Sequence, residues 1–304
     1  MKMALALAVF AASALVSAAG QGNVPCIDHE ALVSVANDSY QTVPEVTVAT
    51  LHAEVHGRPI EIREVAPFTA SRRTVIVLDG SGSMRDKWQF ALSAVTRIVA
   101  RAPENLFLAF VSLTGGKTQE IGFSKTGRVE IADLLRQYAK QPNVPSGESP
   151  LIDGIESALD LLTPAKPGDS IYLVSDGGEN KSKEAMSKLQ SKFLVGHVRL
   201  FSFLLFDEGV STEEERDGFT RFQRLSEESG GIAITAKDPN SFKKLYDALG
   251  TIVESQAVLH LLFRVPGPIE KPTPWKLQFV DASGKPVKRV RVQYAHTLLP
   301  CEMK

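Results

Sequence analysis

The pattern of hydrophobic and polar positions divides the chain into three stretches. Between positions 72 and 256, short apolar runs rich in β-branched residues alternate with segments whose apolar positions recur at helical spacing. Alternation of strands and helices over this length predicts an α/β domain, with a doubly wound, mostly parallel sheet and helices on both faces. The flanking stretches, 20–71 and 257–304, carry strand-like alternation and turn residues, which predicts β structure.

The central stretch yields a series of elements bounded by glycine, proline and polar residues. The predicted strands are Arg73–Leu78, Leu106–Leu113, Thr118–Phe123, Ser170–Ser175, Arg199–Leu205 and Gly231–Thr235. The predicted helices are Lys87–Arg101, Val129–Tyr138, Leu151–Leu162, Lys183–Phe193, Phe219–Glu228 and Ser241 to about Glu254. We expect a polar insertion over Asp207–Asp217, and one domain over 72–256.

The flanks have a different character. Val46–Val55 and Ile60–Val65 alternate on either side of a His-Gly-Arg-Pro turn, which predicts a β-hairpin. Ala31–Ala36 is a candidate short strand. In the tail, strands are predicted over Ala257–Val265, Trp275–Val280 and Val287–Tyr294. We expect the two flanks to pack together as one small β domain, interrupted by the α/β domain.

The first nineteen residues have the composition of a targeting segment. A basic Lys2 precedes a short apolar run, and small residues follow it near Ala18 and Ala19. This order is typical of a secretory signal peptide, with cleavage after one of those alanines. A membrane anchor is the alternative, although the run is shorter than the ~20 residues that a span needs. No later segment is apolar enough to span a membrane, so we expect a secreted or periplasmic protein.

The net charge and the cysteine content indicate which partners and which covalent links to expect. The formal net charge is -1 and no long run of like charge occurs, which argues against binding to nucleic acid or to an acidic membrane surface. The two cysteines, Cys26 and Cys301, lie near opposite ends of the chain. In an oxidising compartment they are expected to form a disulfide, and two free thiols are the alternative.

A polar cluster follows the apolar run Val75–Leu78. Asp79, Ser81 and Ser83 place three oxygen side chains at alternate positions, and a second apolar run ends at Asp176. The carboxyl ends of parallel strands are where open α/β sheets hold their ligands. Oxygen donors suit Mg²⁺ or Ca²⁺. A turn followed by a helix N-cap is the simpler alternative for each of these residues.

The sequence Asp79-Gly80-Ser81-Gly82-Ser83-Met84 resembles the metal-ion-dependent adhesion site of von Willebrand factor type A domains. That family has Asp-x-Ser-x-Ser in a first loop, Thr in a second and Asp-Gly in a third. Asp176-Gly177 matches the third loop, and Ser149 stands where Thr is expected. The resemblance, which covers 72–256, implies a von Willebrand type A fold and a metal site formed by Asp79, Ser81, Ser83, Ser149 and Asp176.

The same resemblance implies a function. The bound ion would be Mg²⁺, or Ca²⁺ or Mn²⁺, and it would engage an acidic residue of a partner protein. A structural component of a cell-envelope assembly, with a metal-free or merely stabilising site, is the first alternative. A metal-dependent hydrolase is the second, but the six histidines are scattered and Glu148 is the single candidate for a general base near the ion. We therefore expect a binding protein and not an enzyme, while the oligomeric state stays open.

Overall fold

A computed structural model of the protein describes residues 27–141, 144–179, 181–183, 185–205, 212–236, 238–255 and 258–301. The predicted signal peptide and Cys26 lie outside this part of the chain, so the proposed cleavage and the Cys26–Cys301 disulfide stay predictions. The N-terminal flank contributes four strands, namely β1 (Asp28–Asn37), β2 (Leu51–Val55), β3 (Arg58–Pro59) and β4 (Glu61–Pro67).

The central stretch forms a six-stranded sheet with its helices. Its strands are β5 (Arg72–Gly80), β6 (Leu106–Thr114), β7 (Lys117–Ile121), β8 (Ser170–Ser175), β9 (Arg199–Leu205) and β10 (Ile232–Ala236). Its helices are α1 (Trp88–Arg101), α2 (Gly127–Tyr138), α3 (Leu151–Leu161), α4 (Met186–Gly196), α5 (Glu213–Glu228) and α6 (Pro239–Ser255). The strand order is β10-β9-β8-β5-β6-β7, and every pair is parallel except β6 with β7.

Alternate residues of the central strand β5 enter two separate hydrophobic cores. Ile76 and Leu78 pack with α1, α2 and α6 on one face of the sheet, whereas Val75 and Val77 pack with α3, α4 and α5 on the other. All four side chains are fully buried. A strand buried on both faces reads as a continuous apolar run, as this one does. The predicted doubly wound α/β fold is confirmed.

The C-terminal flank adds β11 (Leu259–Arg264), β12 (Thr273–Phe279), β13 (Val290–Gln293) and β14 (Thr297–Leu298). These strands join those of the N-terminal flank in two four-stranded sheets, with orders β13-β1-β11-β4 and β14-β12-β2-β3. Side chains from both sheets share one hydrophobic core, which includes Val33, Phe263 and Trp275. The predicted β domain built from both flanks is therefore present.

The predicted β-hairpin over Val46–Val55 and Ile60–Val65 is wrong in part. Residues Val48–Thr50 form a 3₁₀ helix, and β2 pairs with the two-residue strand β3. The chain then leaves that sheet, and β4 pairs with β11 in the opposite sheet. Ile60 and Ile62 are both buried in the core between the two sheets. A strand in either sheet can bury its apolar side chains in this core, so the alternating pattern is the same for β4 as for a hairpin strand.

Two boundaries on the central helices also differ from prediction. Helix α5 begins at Glu213 and not at Phe219, so part of the expected polar insertion is helical. Thr212 caps this helix, since its Oγ1 accepts a hydrogen bond from Glu215 N while the Glu215 carboxylate accepts one from Thr212 N. Helix α4 begins at Met186, after Ala185 in extended conformation, and not at Lys183.

Arg199 connects the sheet domain to the flanking β domain. Its guanidinium donates from Nε to Gly230 O at 2.8 Å and from Nη1 to Ser34 Oγ of β1 at 3.2 Å. A third contact runs from Nη2 to Gln293 Oε1 of β13 at 3.4 Å. Burial lowers the pKa of Arg199 to about 10.

No helix within the described ranges is long and apolar enough to cross a membrane.

Candidate metal centre

The candidate site lies at the carboxyl ends of β5 and β8, which are adjacent parallel strands. Leu78 pairs with Val174, so the two strands end side by side and bring Asp79 level with Ser175. After β5 the chain enters a 3₁₀ helix, Gly82–Lys87, which leads directly into α1. This junction of a buried strand, a polar loop and a helix is the position predicted for the site.

Asp79 is fully buried and holds the first loop together. Its Oδ1 accepts a hydrogen bond from Ser81 N at 2.9 Å, and its Oδ2 accepts one from Ser175 Oγ at 2.6 Å. Ser81 Oγ in turn lies 3.1 Å from Ser83 Oγ. Burial, and next the negative charge of Asp176, raise the pKa of Asp79 to about 7, although the hydrogen bonds from Ser175 and Ser81 oppose the rise.

The loop that carries Ser149 is fastened to the first loop by backbone hydrogen bonds. Ser146 N donates to Gly80 O at 2.9 Å, and Gly82 N donates to Gly147 O at 2.9 Å. Gly147 has a φ of +88°, and a Cβ there would lie 2.8 Å from Gly116 N, so this close approach requires glycine. These contacts bring the buried Ser149 to 3.5 Å from Asp79, measured from Oγ to Oδ2.

Asp176 begins the third loop, directly after β8, and is also fully buried. Its Oδ1 accepts a hydrogen bond from Gly178 N at 3.2 Å. Its Oδ2 accepts one from Lys87 Nζ at 2.9 Å, which forms a salt bridge whose lysine side chain is only 9% exposed. Asp79 and Asp176 thus place two buried carboxylates at the site, and one ammonium group contacts Asp176.

The N-terminus of α5 closes the site from a further side. Gly177 has a φ of +90°, and a Cβ on the facing Gly218 would lie 1.8 Å from Gly177 O, so neither position accommodates a side chain. Their close approach brings Glu215 near the third loop, where its Cγ would lie 3.7 Å from a Cβ at Gly178. The Glu215 carboxylate is held by the Thr212 backbone within its own capping box.

The donor set fits a divalent cation. A cavity of about 130 Å³ is bordered by Ser81, Ser83, Gly147, Ser149, Gly178, Thr212, Glu214 and Glu215. Ser81, Ser83 and Ser149 of the predicted ligand set offer hydroxyl oxygens to this cavity. The negatively charged side chains of Asp79 and Asp176 are buried behind these hydroxyl groups. Hard oxygen donors with few carboxylates are the surroundings that Mg²⁺ accepts in proteins. Among the described residues, no group of three or more His, Cys, Asp or Glu could hold a metal ion, so an ion at this site would depend on the hydroxyl oxygens.

The structure brings all five predicted residues to one place. Asp79, Ser81, Ser149 and Asp176 are buried there, and Ser83 faces solvent. Glu148, the one candidate base for a hydrolase, instead points to the surface and forms a salt bridge with Lys181 at 2.9 Å.

Sequence reasoning missed three participants, namely Ser175, Lys87 and Glu215. Ser175 could have been suspected, because it precedes Asp176 at the end of a predicted strand. Lys87 gave a weaker signal, a lysine on the first turn of an otherwise apolar helix, and its contact with Asp176 depends on packing between segments 89 residues apart. Glu215 lay in a segment predicted to be an insertion without a helix, although its spacing from Thr212 is that of a capping box and could have indicated a helix start.

Comparison with known proteins agrees with this architecture. A sequence profile of the von Willebrand factor type A domain matches residues 74–179, which include all three loops. The chain therefore contains a von Willebrand factor type A domain. Such domains in general mediate protein–protein interactions and often bind a divalent cation at the adhesion site. No curated protein sequence gives a significant match.

Solved structures of similar fold include three that illustrate its range. A von Willebrand factor type A protein from Catenulispora acidiphila is 12% identical over 90% of this chain and 73% of its own, with a TM-score of 0.46. BatB from Bacteroides thetaiotaomicron is 16% identical over 60% and 99%, with a TM-score of 0.44. Proximal thread matrix protein 1 from the mussel byssus, with zinc in its adhesion site, is 15% identical over 64% and 49%, with a TM-score of 0.47.

Proposed function

We propose that the protein is a secreted or periplasmic binding module that engages an acidic residue of a partner protein through a divalent cation. Asp79, Ser81, Ser83, Ser149 and Asp176 would hold the ion, and Mg²⁺ is the expected ion, with Ca²⁺ or Mn²⁺ as substitutes. The ion would supply an electrophilic centre that accepts a carboxylate from the partner. The chain's own side chains would position that centre and leave its outer face open.

One observation carries the proposal. Two buried carboxylates, Asp79 and Asp176, lie behind hydroxyl groups that border a small cavity, and Lys87 contacts only the second of them. An uncompensated buried negative charge is costly, which is why the pKa of Asp79 is raised to about 7. A divalent cation in the cavity would remove that cost. Few anionic ligands would leave the ion able to attract a further carboxylate.

Titration calorimetry with Mg²⁺ and Mn²⁺ tests the ion site. We expect the wild-type protein to bind one ion and Asp79→Asn to bind none, because the substitution removes one of the two buried negative charges. Asp133→Asn, on the exposed surface of α2, is the matched control and should bind like wild type. Equal ion binding by wild type and Asp79→Asn would refute the site.

Capture of a partner from envelope extract tests the second half of the proposal. Wild-type protein should retain the same partner in Mg²⁺ and release it when a chelator is added. The partner's binding should then be lost when its own acidic residues in the contact are changed to amides. Retention that does not depend on the ion would contradict metal-mediated engagement.

The alternative function, a structural component of a cell-envelope assembly, draws on the salt bridge between Lys87 and Asp176. This pair already neutralises one carboxylate, so a metal-free fold has a defined arrangement at the site. An assembly role would predict a partner whose capture survives chelator and the Asp79→Asn substitution. The two experiments above therefore separate the two functions.

Location and domain organisation complete the proposal. We propose that the first nineteen residues direct export, that 72–256 is inserted between flanks 20–71 and 257–304, and that Cys26 pairs with Cys301. A disulfide closing so long a loop would stabilise the fold by roughly 4 kcal/mol in the chain-entropy treatment. Mass spectrometry of exported protein under non-reducing conditions should show a shortened N-terminus and no alkylatable thiol. Two alkylated cysteines would rule out the bridge.

A further inference from the structure

Lys87 occupies an unusual position for a lysine. It is 7% exposed, and no other lysine is buried among the residues that the structure describes. Burial of an ammonium group is unfavourable unless a paired charge compensates it. Lys87 lies at the end of the 3₁₀ helix, immediately before α1, so the same loop that carries Asp79, Ser81 and Ser83 also fixes this lysine.

The ammonium group contacts the candidate metal centre without bordering the cavity. Lys87 Nζ lies 2.9 Å from Asp176 Oδ2, whereas the other oxygen of Asp176 accepts a hydrogen bond from Gly178 N. Lys87 is absent from the residues that line the cavity, which are hydroxyl-bearing, acidic or glycine. The lysine and an ion in the cavity would therefore act on the same carboxylate from different places.

We propose that Lys87 is a built-in counter-cation that sets how tightly the site holds its ion. It stabilises Asp176 when no ion is bound, and it lowers the affinity for a divalent cation by repulsion across the shared carboxylate. This inference rests on the proposed metal-dependent function and adds a determinant of ion affinity outside the five proposed ligand residues.

The charge balance gives this lysine a consequence for partner binding. Asp79 and Asp176 are buried at the site, Glu214 and Glu215 border the cavity, and Lys87 contacts Asp176. Lys87 therefore reduces the negative charge that surrounds a bound ion, so an incoming carboxylate from a partner is repelled less strongly. Without Lys87 the acidic groups would neutralise more of the ion's charge, and the attraction for a partner's acid would weaken.

Lys87→Gln tests the inference, because glutamine keeps a hydrogen-bond donor for Asp176 and removes the charge. We expect its affinity for Mg²⁺ and Mn²⁺ to exceed that of wild type by roughly tenfold or more, since a unit charge close to the ion acts there through a medium of low effective dielectric. Lys87→Arg keeps the charge and should stay within about threefold of wild type. Lys181→Gln is the control: the Lys181 side chain is 60% exposed, and its charge beside Glu148 is screened by solvent. This substitution should change the ion affinity less than about twofold.

Thermal unfolding in chelator and in excess Mg²⁺ supplies a second readout. Lys87→Gln should unfold at a lower temperature than wild type in chelator, and excess Mg²⁺ should recover most of the difference. Lys181→Gln should show neither effect. If Lys87→Gln requires Mg²⁺ to fold at all, its affinity can be measured by competition with a chelator of known strength, and that requirement itself supports the inference.

The outcomes separate this inference from the function on which it rests. Ion binding by wild type with equal or weaker affinity in Lys87→Gln would overturn the role of Lys87 and leave the metal site standing. Ion binding by Lys87→Gln without detectable ion binding by wild type would support the inference in its strongest form. Absence of ion binding by wild type and all variants would overturn the proposed metal site, and the role of Lys87 with it.

Discussion

Strands β5 and β8 lie side by side and carry charged residues at both ends, yet the two ends balance their charges differently. At the amino ends, Arg73 Nε donates to Asp169 Oδ1 at 3.0 Å, and Asp169 Oδ2 also accepts a hydrogen bond from Lys166 N at 2.7 Å. One acid there faces one base. At the carboxyl ends, Asp176 is paired with the ammonium group of Lys87, whereas Asp79 accepts hydrogen bonds from neutral groups of Ser81 and Ser175.

The difference distinguishes a structural ion pair from the proposed metal site. Arg73 also donates to Leu162 O and Pro164 O, so its guanidinium is tied to the fold by several hydrogen bonds. Both charged groups of this pair are therefore compensated by residues of the fold. At the opposite end, a charge remains beside a cavity bordered by hydroxyl groups. The sheet thus has one end stabilised by its own residues and one end that a cation would complete.

Breaking the pair at the amino end should have the largest effect on stability. Asp169→Ala leaves the Arg73 guanidinium without its carboxylate, and we expect a loss of about 3 kcal/mol in the free energy of unfolding. Urea unfolding should show the same loss in chelator and in Mg²⁺, because no ion can replace the acid at this end. The exposed Asp160→Ala is the control and should lie close to wild type. Rescue of Asp169→Ala by Mg²⁺ would invalidate the comparison.

The corresponding change at the carboxyl end should act in the opposite direction. Asp79→Asn removes the buried charge that the fold does not neutralise, so the metal-free protein should gain about 1 to 3 kcal/mol of stability at pH 8. Mg²⁺ should stabilise wild type and leave the variant unchanged. Urea unfolding of both proteins with and without Mg²⁺ measures this. A destabilised Asp79→Asn in chelator would mean that the carboxylate is already fully compensated.

The raised pKa of Asp79 also predicts how the stability difference between Asp79→Asn and wild type depends on pH. Because the pKa of Asp79 is raised to about 7, the folded state holds a proton that the unfolded chain, in which an aspartate has its ordinary pKa of 3.8, releases. The stabilisation from this proton is fully present below the unfolded pKa and is lost as pH rises through about 7. The stability difference between Asp79→Asn and wild type in chelator should therefore grow between pH 5 and pH 8. A difference that is flat with pH would contradict the raised pKa.

The smallest effect is expected at the second loop. Ser149→Ala removes one neutral hydroxyl, whose Oγ lies 3.5 Å from Asp79 Oδ2, a long contact. We expect the metal-free stability to change by less than about 1 kcal/mol and the ion affinity to fall about tenfold. Ser149→Thr, which keeps the hydroxyl, should retain wild-type affinity. Calorimetry of the three proteins decides, and an unchanged affinity in Ser149→Ala would remove this residue from the ligand set.

Much of the fold followed from periodicity, and the reasons for the exceptions are physical. The buried strands β5 and β8 are continuous apolar runs that end in acids, so their position and the location of the site were predictable. The predicted hairpin was wrong because β2 and β4 both bury alternate residues in one core, and alternation does not reveal which sheet a strand joins. The early start of α5 was missed because the segment is polar, although Thr212 and Glu215 have the spacing of a capping box.

The candidate site was predictable only where one loop carries its own pattern. Asp79, Ser81 and Ser83 are indicated by their spacing, and Asp176 by its place after a strand. Lys87 and Ser175 enter the site through contacts between distant segments, which no local pattern encodes. The charge balance that distinguishes the two ends of the sheet therefore depends on these long-range contacts.

A crystal structure of the protein grown in Mn²⁺, with an anomalous difference map, tests the central claim most directly. The account predicts one strong peak in the cavity, about 2.1 Å from the Ser81 and Ser83 hydroxyl oxygens, with Lys87 still bound to Asp176. The same map from Asp79→Asn should lack the peak. A wild-type map without a peak at this site, or an equal peak in Asp79→Asn, would contradict the account.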